Sequence, residues 1–85
     1  MARQWRIAQR VEISLRCWED ECALYVSPSG NTHILPRDLG AALERLQHTP
    51  CSEDNLAHDA GMPAALFAER LQALERLGII EVAAE

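Results

Sequence analysis

The chain has 85 residues, a composition that is 48% apolar and a formal net charge of −5, which together describe one ordinary folded domain, residues 1–85. Twelve acidic residues outnumber four arginines after residue 16, and this balance disfavours a nucleic-acid surface. No run approaches the roughly 20 apolar residues of a membrane span, and no charged start followed by an apolar segment suggests export, so we expect a cytoplasmic protein with no membrane partner.

The three cysteines, Cys17, Cys22 and Cys51, are odd in number and form no C-x-x-C pair. This pattern indicates neither a disulfide framework nor a zinc site, and we expect buried thiols. A cross-strand disulfide between Cys17 and Cys22 is the alternative, which cytosolic conditions disfavour. We expect no metal and no cofactor.

The first half of the chain predicts two strands joined by a tight reversal. Residues 1–9 show no repeat long enough to assign, and we interpret them as an N-terminal arm. Apolar and polar residues then alternate, which predicts a half-buried strand. The polar pair Glu19-Asp20 predicts a reversal that places Cys17 opposite Cys22 and begins the second strand.

A second turn is indicated by the segment 27–31, SPSGN. Its proline and glycine fit a type I turn with a G1 bulge, the common three-residue hairpin loop. Closing the hairpin this way pairs Leu24 with Ile34, so that Ile34 faces the core and His33 faces solvent. The third strand, residues 31–35, is then expected to be a sheet edge.

Three helices follow, each with apolar residues at helical spacing. We expect them from Pro36 to about Gln47, from Ser52 to Ala60 and from Pro63 to Leu77. Gly78 is suited to end the last helix, and residues 79–82 are expected to fold back as an extended cap. Strands followed by helices predict an α+β domain, a three-stranded antiparallel meander followed by three helices in the order β-β-β-α-α-α.

Catalysis has little support in the sequence. The three histidines are scattered, no spacing places a base beside a nucleophile, and no glycine-rich loop precedes a helix. We therefore expect no catalytic residues and no enzyme activity.

Two binding modes fit the pattern, and a third concerns self-association. Residues 52–80 look like the helix-turn-helix and wing of a DNA-binding regulator, although the long helix balances two arginines with two glutamates. Alternatively, the edge strand beside the long helix forms a groove that accepts an extended peptide as a fourth strand. In the third, a homodimer forms through the edge strand or through the outer sheet face with Trp18 and Tyr25.

The peptide hypothesis names specific residues. Backbone hydrogen bonds would come from the third strand and side-chain pockets from the last helix. The candidate peptide-binding residues are Asn31, Thr32, His33, Ile34, Leu35, Phe67, Arg70 and Leu74. Arg70 has two interpretations: its stem packs while its head reaches water, or its guanidinium holds a ligand carboxylate or carbonyl group.

The run VSPSGNTHIL, residues 26–35, preceded by Trp18 and an acidic turn, resembles the PqqD-like peptide chaperones, also called recognition elements of ribosomally made, modified peptides. The branch associated with HPr-kinase-related proteins is the most similar. The resemblance implies a winged-helix-like, non-catalytic adaptor that captures a leader or precursor peptide by strand addition. It would present that peptide to a peptide-modifying or HPr-kinase-related enzyme. A winged-helix DNA-binding transcriptional regulator is the alternative.

Overall fold

The computed structural model describes residues 3–84. Met1 and Ala2 of the expected arm, together with Glu85, lie outside the described residues. The described chain forms six strands and three helices: β1 (Gln4–Ile7), β2 (Glu12–Trp18), β3 (Glu21–Ser27), β4 (Asn31–Pro36), α1 (Arg37–Leu46), β5 (Cys51–Ser52), α2 (Glu53–Ala60), α3 (Ala64–Arg76) and β6 (Ile80–Ala84).

Strands β2, β3 and β4 form the expected antiparallel meander, in that order. Cys22, Leu24 and Val26 are buried on one face of β3, as the alternation predicts. The reversal at Glu19-Asp20 is also confirmed, because Cys17 lies opposite Cys22 in the β2–β3 ladder.

The two facing cysteines are joined in a disulfide, with their Cα atoms 4.0 Å apart. The expectation of free thiols at Cys17 and Cys22 is therefore wrong for this structure. The physical reason is the tight turn, which places the two residues directly opposite each other. Cys51 is a buried free cysteine, as expected.

The predicted register of the β3–β4 hairpin is wrong by one residue. Leu24 lies opposite His33, and the loop encloses four residues, 27–30, instead of three. The Gly30 N–H donates a hydrogen bond of 2.8 Å to the Val26 carbonyl, and Gly30 has a φ of +79°. A shift of one residue exchanges the two faces of a strand. Ile34 is consequently 58% exposed, and His33 points to the inner face.

The second sheet has the order β5-β1-β6 and is antiparallel throughout. The interpretation of residues 1–9 as an arm is wrong for the described part, because β1 is the central strand of this sheet. Trp5 is completely buried, and its indole N–H donates to the Glu53 carboxylate at 3.1 Å. The expected extended cap after Gly78 is confirmed as β6.

The helix ends agree closely with the sequence. The Ser52 hydroxyl accepts a hydrogen bond of 3.2 Å from the Asn55 N–H and so caps α2. Gly61 ends α2 with a φ of +69°, and Pro63 precedes α3. Gly78 follows α3 with a φ of +80°. The turn between α2 and α3 therefore depends on a left-handed backbone at Gly61, which glycine adopts at little cost.

Helix α1 packs against both sheets and against α2, and the core is continuous around it. Helices α2 and α3 with the sheet β5-β1-β6 form a helix-turn-helix backed by a small sheet, which is the winged-helix arrangement. The α+β winged-helix prediction is confirmed, with three more strands than expected. Across residues 3–84, no helix has the length and apolar character needed to cross a bilayer.

Candidate functional site

Two of the three candidate peptide-binding residues of α3, Phe67 and Leu74, lie in the core rather than on a groove. Phe67 is 0% exposed and Leu74 is 2% exposed, and both belong to the continuous core cluster. In this structure neither side chain is available to line a side-chain pocket. Packing within the domain explains the central part of the apolar stripe of α3, whereas Leu66 and Leu77 near its two ends are 46% and 56% exposed.

Arg70 has an internal partner. Its Nη1 lies 3.1 Å from Oδ2 of Asp38, at the start of α1, and both side chains are partly exposed. The same aspartate accepts a 2.7 Å hydrogen bond from the Leu39 N–H. In the second interpretation of Arg70 a ligand supplies a carboxylate, and here the domain itself supplies one. The sequence signal for this partner was an acidic residue in the first turn of α1.

Strand β4 is an edge, as predicted, and its main neighbours differ from those of α3. It packs against β3 and α1, whereas α3 packs mainly against α2 and β6. Asn31, Thr32 and Ile34 are exposed, and Leu35 is 9% exposed. Leu35 belongs to the same core cluster as Phe67 and Leu74, so these three candidate residues share burial in the core rather than the lining of an open groove.

The face of the meander that points away from α1, here called the outer face, carries an exposed patch. Trp18 and Tyr25 are each 48% exposed, and Ile34 is 58% exposed. Ala23 lies at the centre of this face, between Arg16 on β2 and Ile34 on β4. Arg16 makes no ion pair with any described residue. This patch combines apolar side chains with one uncompensated cation.

The solvent-facing side of α3 is the second exposed surface. It lies opposite Phe67, Leu71 and Leu74, so no part of the core covers it. Its residues, at 100° per residue, are Ala65, Glu69, Gln72, Ala73 and Arg76. Gln72 and Arg76 were not among the predicted site residues, although the helical period already places them on this side.

The charges around this helix are mostly acidic. The helix-turn-helix, residues 53–76, contains five acidic residues and two arginines. Arg70 is paired with Asp38, which leaves Arg76 without an ion pair among residues 3–84. The surface thus offers one uncompensated cation at the end of α3.

A cleft of about 240 Å³ lies between α1 and α2. Its floor is apolar, with Ala42 and Leu56, and its rim includes an ion pair between Arg45 and Asp59. Arg37 and Asp38 also line the cleft, which therefore carries two cations and two carboxylates.

Residues 27–83 match the family model described as the DprA winged helix domain. Neither the comparison with curated proteins nor that with solved structures found a match. The family match covers β4, all three helices, β5 and most of β6, and it therefore includes the helix-turn-helix described above.

This match corrects the family expected from the sequence. The resemblance of residues 26–35 to PqqD-like peptide chaperones is wrong, because the matching family is a different one. That resemblance was drawn over roughly Trp5 to Val82, with the hairpin as its specific motif, and the register predicted for this hairpin is shifted by one residue. The segment that matches the family model spans more than half of the chain and includes all three helices. The chain therefore belongs to the DprA winged helix domain family.

Proposed function

We infer that this domain serves a DNA-processing role and contacts duplex DNA through the solvent-facing side of α3. The observation that carries the proposal is the exposed face of the second helix in a helix-turn-helix, in a chain of the DprA winged helix family. In helix-turn-helix proteins this second helix enters the major groove. The proposal therefore assigns α3 the same position.

The side chains on this face permit contacts with bases. Arg76 at the end of α3 can donate two hydrogen bonds to guanine, and Gln72 can pair with adenine. Ala65 and Ala73 are small enough to let the helix backbone approach the groove. The face thus offers two groups capable of direct base contact, and Glu69 on the same face adds a negative charge that opposes it.

The charge distribution limits the strength of this contact. Arg76 is the one arginine of the helix-turn-helix without an ion pair among the described residues, and residues 53–76 contain five acidic residues against two arginines. Each neutralised phosphate contributes about −0.9 to the slope of log K against log salt concentration. We therefore expect weak binding with a slope near about −1, far shallower than that of proteins making 6–10 phosphate contacts.

Peptide capture at β4 has less support than DNA contact. Phe67 and Leu74 are buried, Arg70 is held by Asp38, and β4 packs against α1. The remaining argument for strand addition is that the edge of β4 is uncovered. An uncovered edge does not by itself indicate that the added strand is a leader peptide. The absence of enzyme activity stays a prediction from the sequence.

The proposal is tested by fluorescence polarisation with a labelled duplex at low salt, followed by a salt titration. Replacing Arg76 with alanine should weaken binding about tenfold, since a good bidentate contact contributes about 1–3 kcal/mol. Arg16→Ala is the matched control, because it removes the same charge from an exposed site on the outer face of the meander. It should leave the affinity nearly unchanged.

Two outcomes would count against DNA contact through α3. One is the absence of measurable duplex binding at low salt. The other is an equal loss of affinity in the Arg76→Ala and Arg16→Ala variants, which would indicate binding by overall charge alone.

A further inference from the structure

The two sheets have four edges, and they differ in how well they are protected from pairing. Strand β5 has only two residues, β2 carries Glu12 and Arg16, and β6 carries Glu81. Charged residues on an edge strand disfavour pairing with another strand. Strand β4 contains no charged residue from Asn31 to Pro36 and is the unprotected edge.

The side chains of β4 also suit a partner strand. Thr32 and Ile34 are exposed on the outer face, beside Tyr25 and Ala23 of β3. Both are β-branched residues, which pack well across a strand pair. Pro36 lacks an N–H, but it lies at the end of the strand and leaves the preceding residues able to pair.

We propose that a second copy of this chain pairs with β4, antiparallel and edge to edge, so that two copies share one six-stranded sheet. In the register centred on His33, Ile34 of each copy lies opposite Thr32 of the other. Residues that pair across antiparallel strands point to the same face, so this register keeps both outer faces on one side. The strand order becomes β2-β3-β4-β4-β3-β2.

Two copies of the chain could meet in several arrangements, and the charge distribution favours contact through β4. With a net charge of −5, most surfaces of two copies repel each other. Glu21 lies beside Pro36 at the end of this edge, and the other outer-face residues on or next to it, Ala23, Tyr25, Thr32 and Ile34, are neutral. Screening over about 8 Å at physiological salt weakens repulsion between more distant acids.

Symmetry also favours the pairing of two β4 edges over the pairing of β4 with a different edge strand. Two β4 edges form a two-fold contact that closes at two copies. Pairing β4 with the β2 edge of another copy would extend without limit, and it would meet the charges of Glu12 and Arg16. The charges on β2 therefore restrict association to the closed dimer.

Sedimentation equilibrium from about 10 μM to 1 mM protein tests the proposal, a range that spans weak dissociation constants. The unmodified chain should show a monomer–dimer equilibrium. Ile34→Lys places two like charges across the two-fold axis and should raise the dissociation constant at least about tenfold. Ser14→Lys is the matched control, because it adds the same charge to the outer face on β2, away from β4.

Thr32→Glu is a second variant at an exposed position of β4 and should also weaken the dimer. Circular dichroism of each variant distinguishes loss of pairing from loss of folding. A monomer at every concentration would overturn the proposal, as would a dimer that Ile34→Lys and Thr32→Glu leave unchanged. The proposal would also be overturned if the protein stayed monomeric and the NMR shifts of the β4 amides changed only when an extended peptide was added. The edge would then bind a peptide instead of a second copy.

Discussion

Gly40 shows how a single hydrogen atom in place of a side chain sets the position of a helix. It is buried in α1, where α1 crosses the β2–β3 hairpin at the disulfide. A Cβ atom at this position would overlap the Sγ of Cys22 and would lie 2.8 Å from its Cβ. Glycine inside a helix usually costs stability, so the close approach of α1 to the sheet is the reason for its presence.

Replacing Gly40 with alanine should destabilise the domain by about 1–3 kcal/mol, because α1 must move away from the meander. Helix propensity alone predicts the opposite sign, a gain of about 1 kcal/mol. Urea unfolding followed by circular dichroism measures the difference. Ala41→Gly, at the neighbouring exposed position, is the control and should lose about 1 kcal/mol. A stabilised Gly40→Ala variant would contradict the packing argument.

Strand β4 shows that the register of an element depends on the length of its loop. The four-residue loop 27–30 turns Leu35 toward the core, where Cys22 is its partner, and turns Ile34 outward. The sequence offers two adjacent apolar residues at this point, and alternation cannot decide which one faces inward. Which side chains of β4 belong to the inner face of the meander is decided only by the register in which β4 pairs with β3.

The register has a direct test in two neighbouring residues. Leu35→Ala should cost about 2–5 kcal/mol, since it removes a buried side chain. Ile34→Ala should cost less than about 1 kcal/mol, which is the span of strand propensity at an exposed site. Chemical unfolding in dilute solution measures both. Equal losses, or a larger loss at Ile34, would show that the predicted three-residue loop was correct after all.

The whole molecule is held together by contacts between segments far apart in the chain. Strand β1 pairs with β5 on one side and β6 on the other, and the Arg6 guanidinium is paired with the Glu81 carboxylate at 2.6 Å. Trp5 in β1 and the residues of α1 belong to one core cluster. The two sheets should therefore unfold together, as expected for a small single domain.

The two tryptophans provide a test at this scale. Trp5→Ala should cost about 3–5 kcal/mol, a large part of the 5–15 kcal/mol typical of a folded domain. Trp18→Ala should change stability by less than about 0.5 kcal/mol, because Trp18 is half-exposed on the outer face. Thermal unfolding measures both changes.

If Trp5→Ala does not fold, Trp5→Phe provides a milder change that keeps most of the apolar contact and loses the hydrogen bond to Glu53. In a Trp18→Phe variant, the fluorescence of Trp5 should report the same transition as circular dichroism. Separate transitions would show that the two sheets unfold independently.

The parts of the fold determined by the sequence alone are those encoded within a few residues. The Ser52 cap, the left-handed Gly78 after α3 and the reversal at Glu19-Asp20 depend on neighbours one to four positions away. Such interactions need only neighbouring residues. The helix and strand patterns beside them repeat often enough to be recognised in the sequence. The α+β class and the helix-turn-helix follow from these local features.

Features that depend on contacts between residues far apart in the chain were decided only by the tertiary structure. The indole of Trp5 bonds to a residue 48 positions away, and Arg70 pairs with one 32 positions away. Four residues of β1 are too few to show a period, so their place at the centre of a sheet emerges only when β5 and β6 provide unpaired backbone on both sides. The exposed sides of α3 and β4 were decided in the same way, because a surface is defined by what the rest of the chain leaves uncovered.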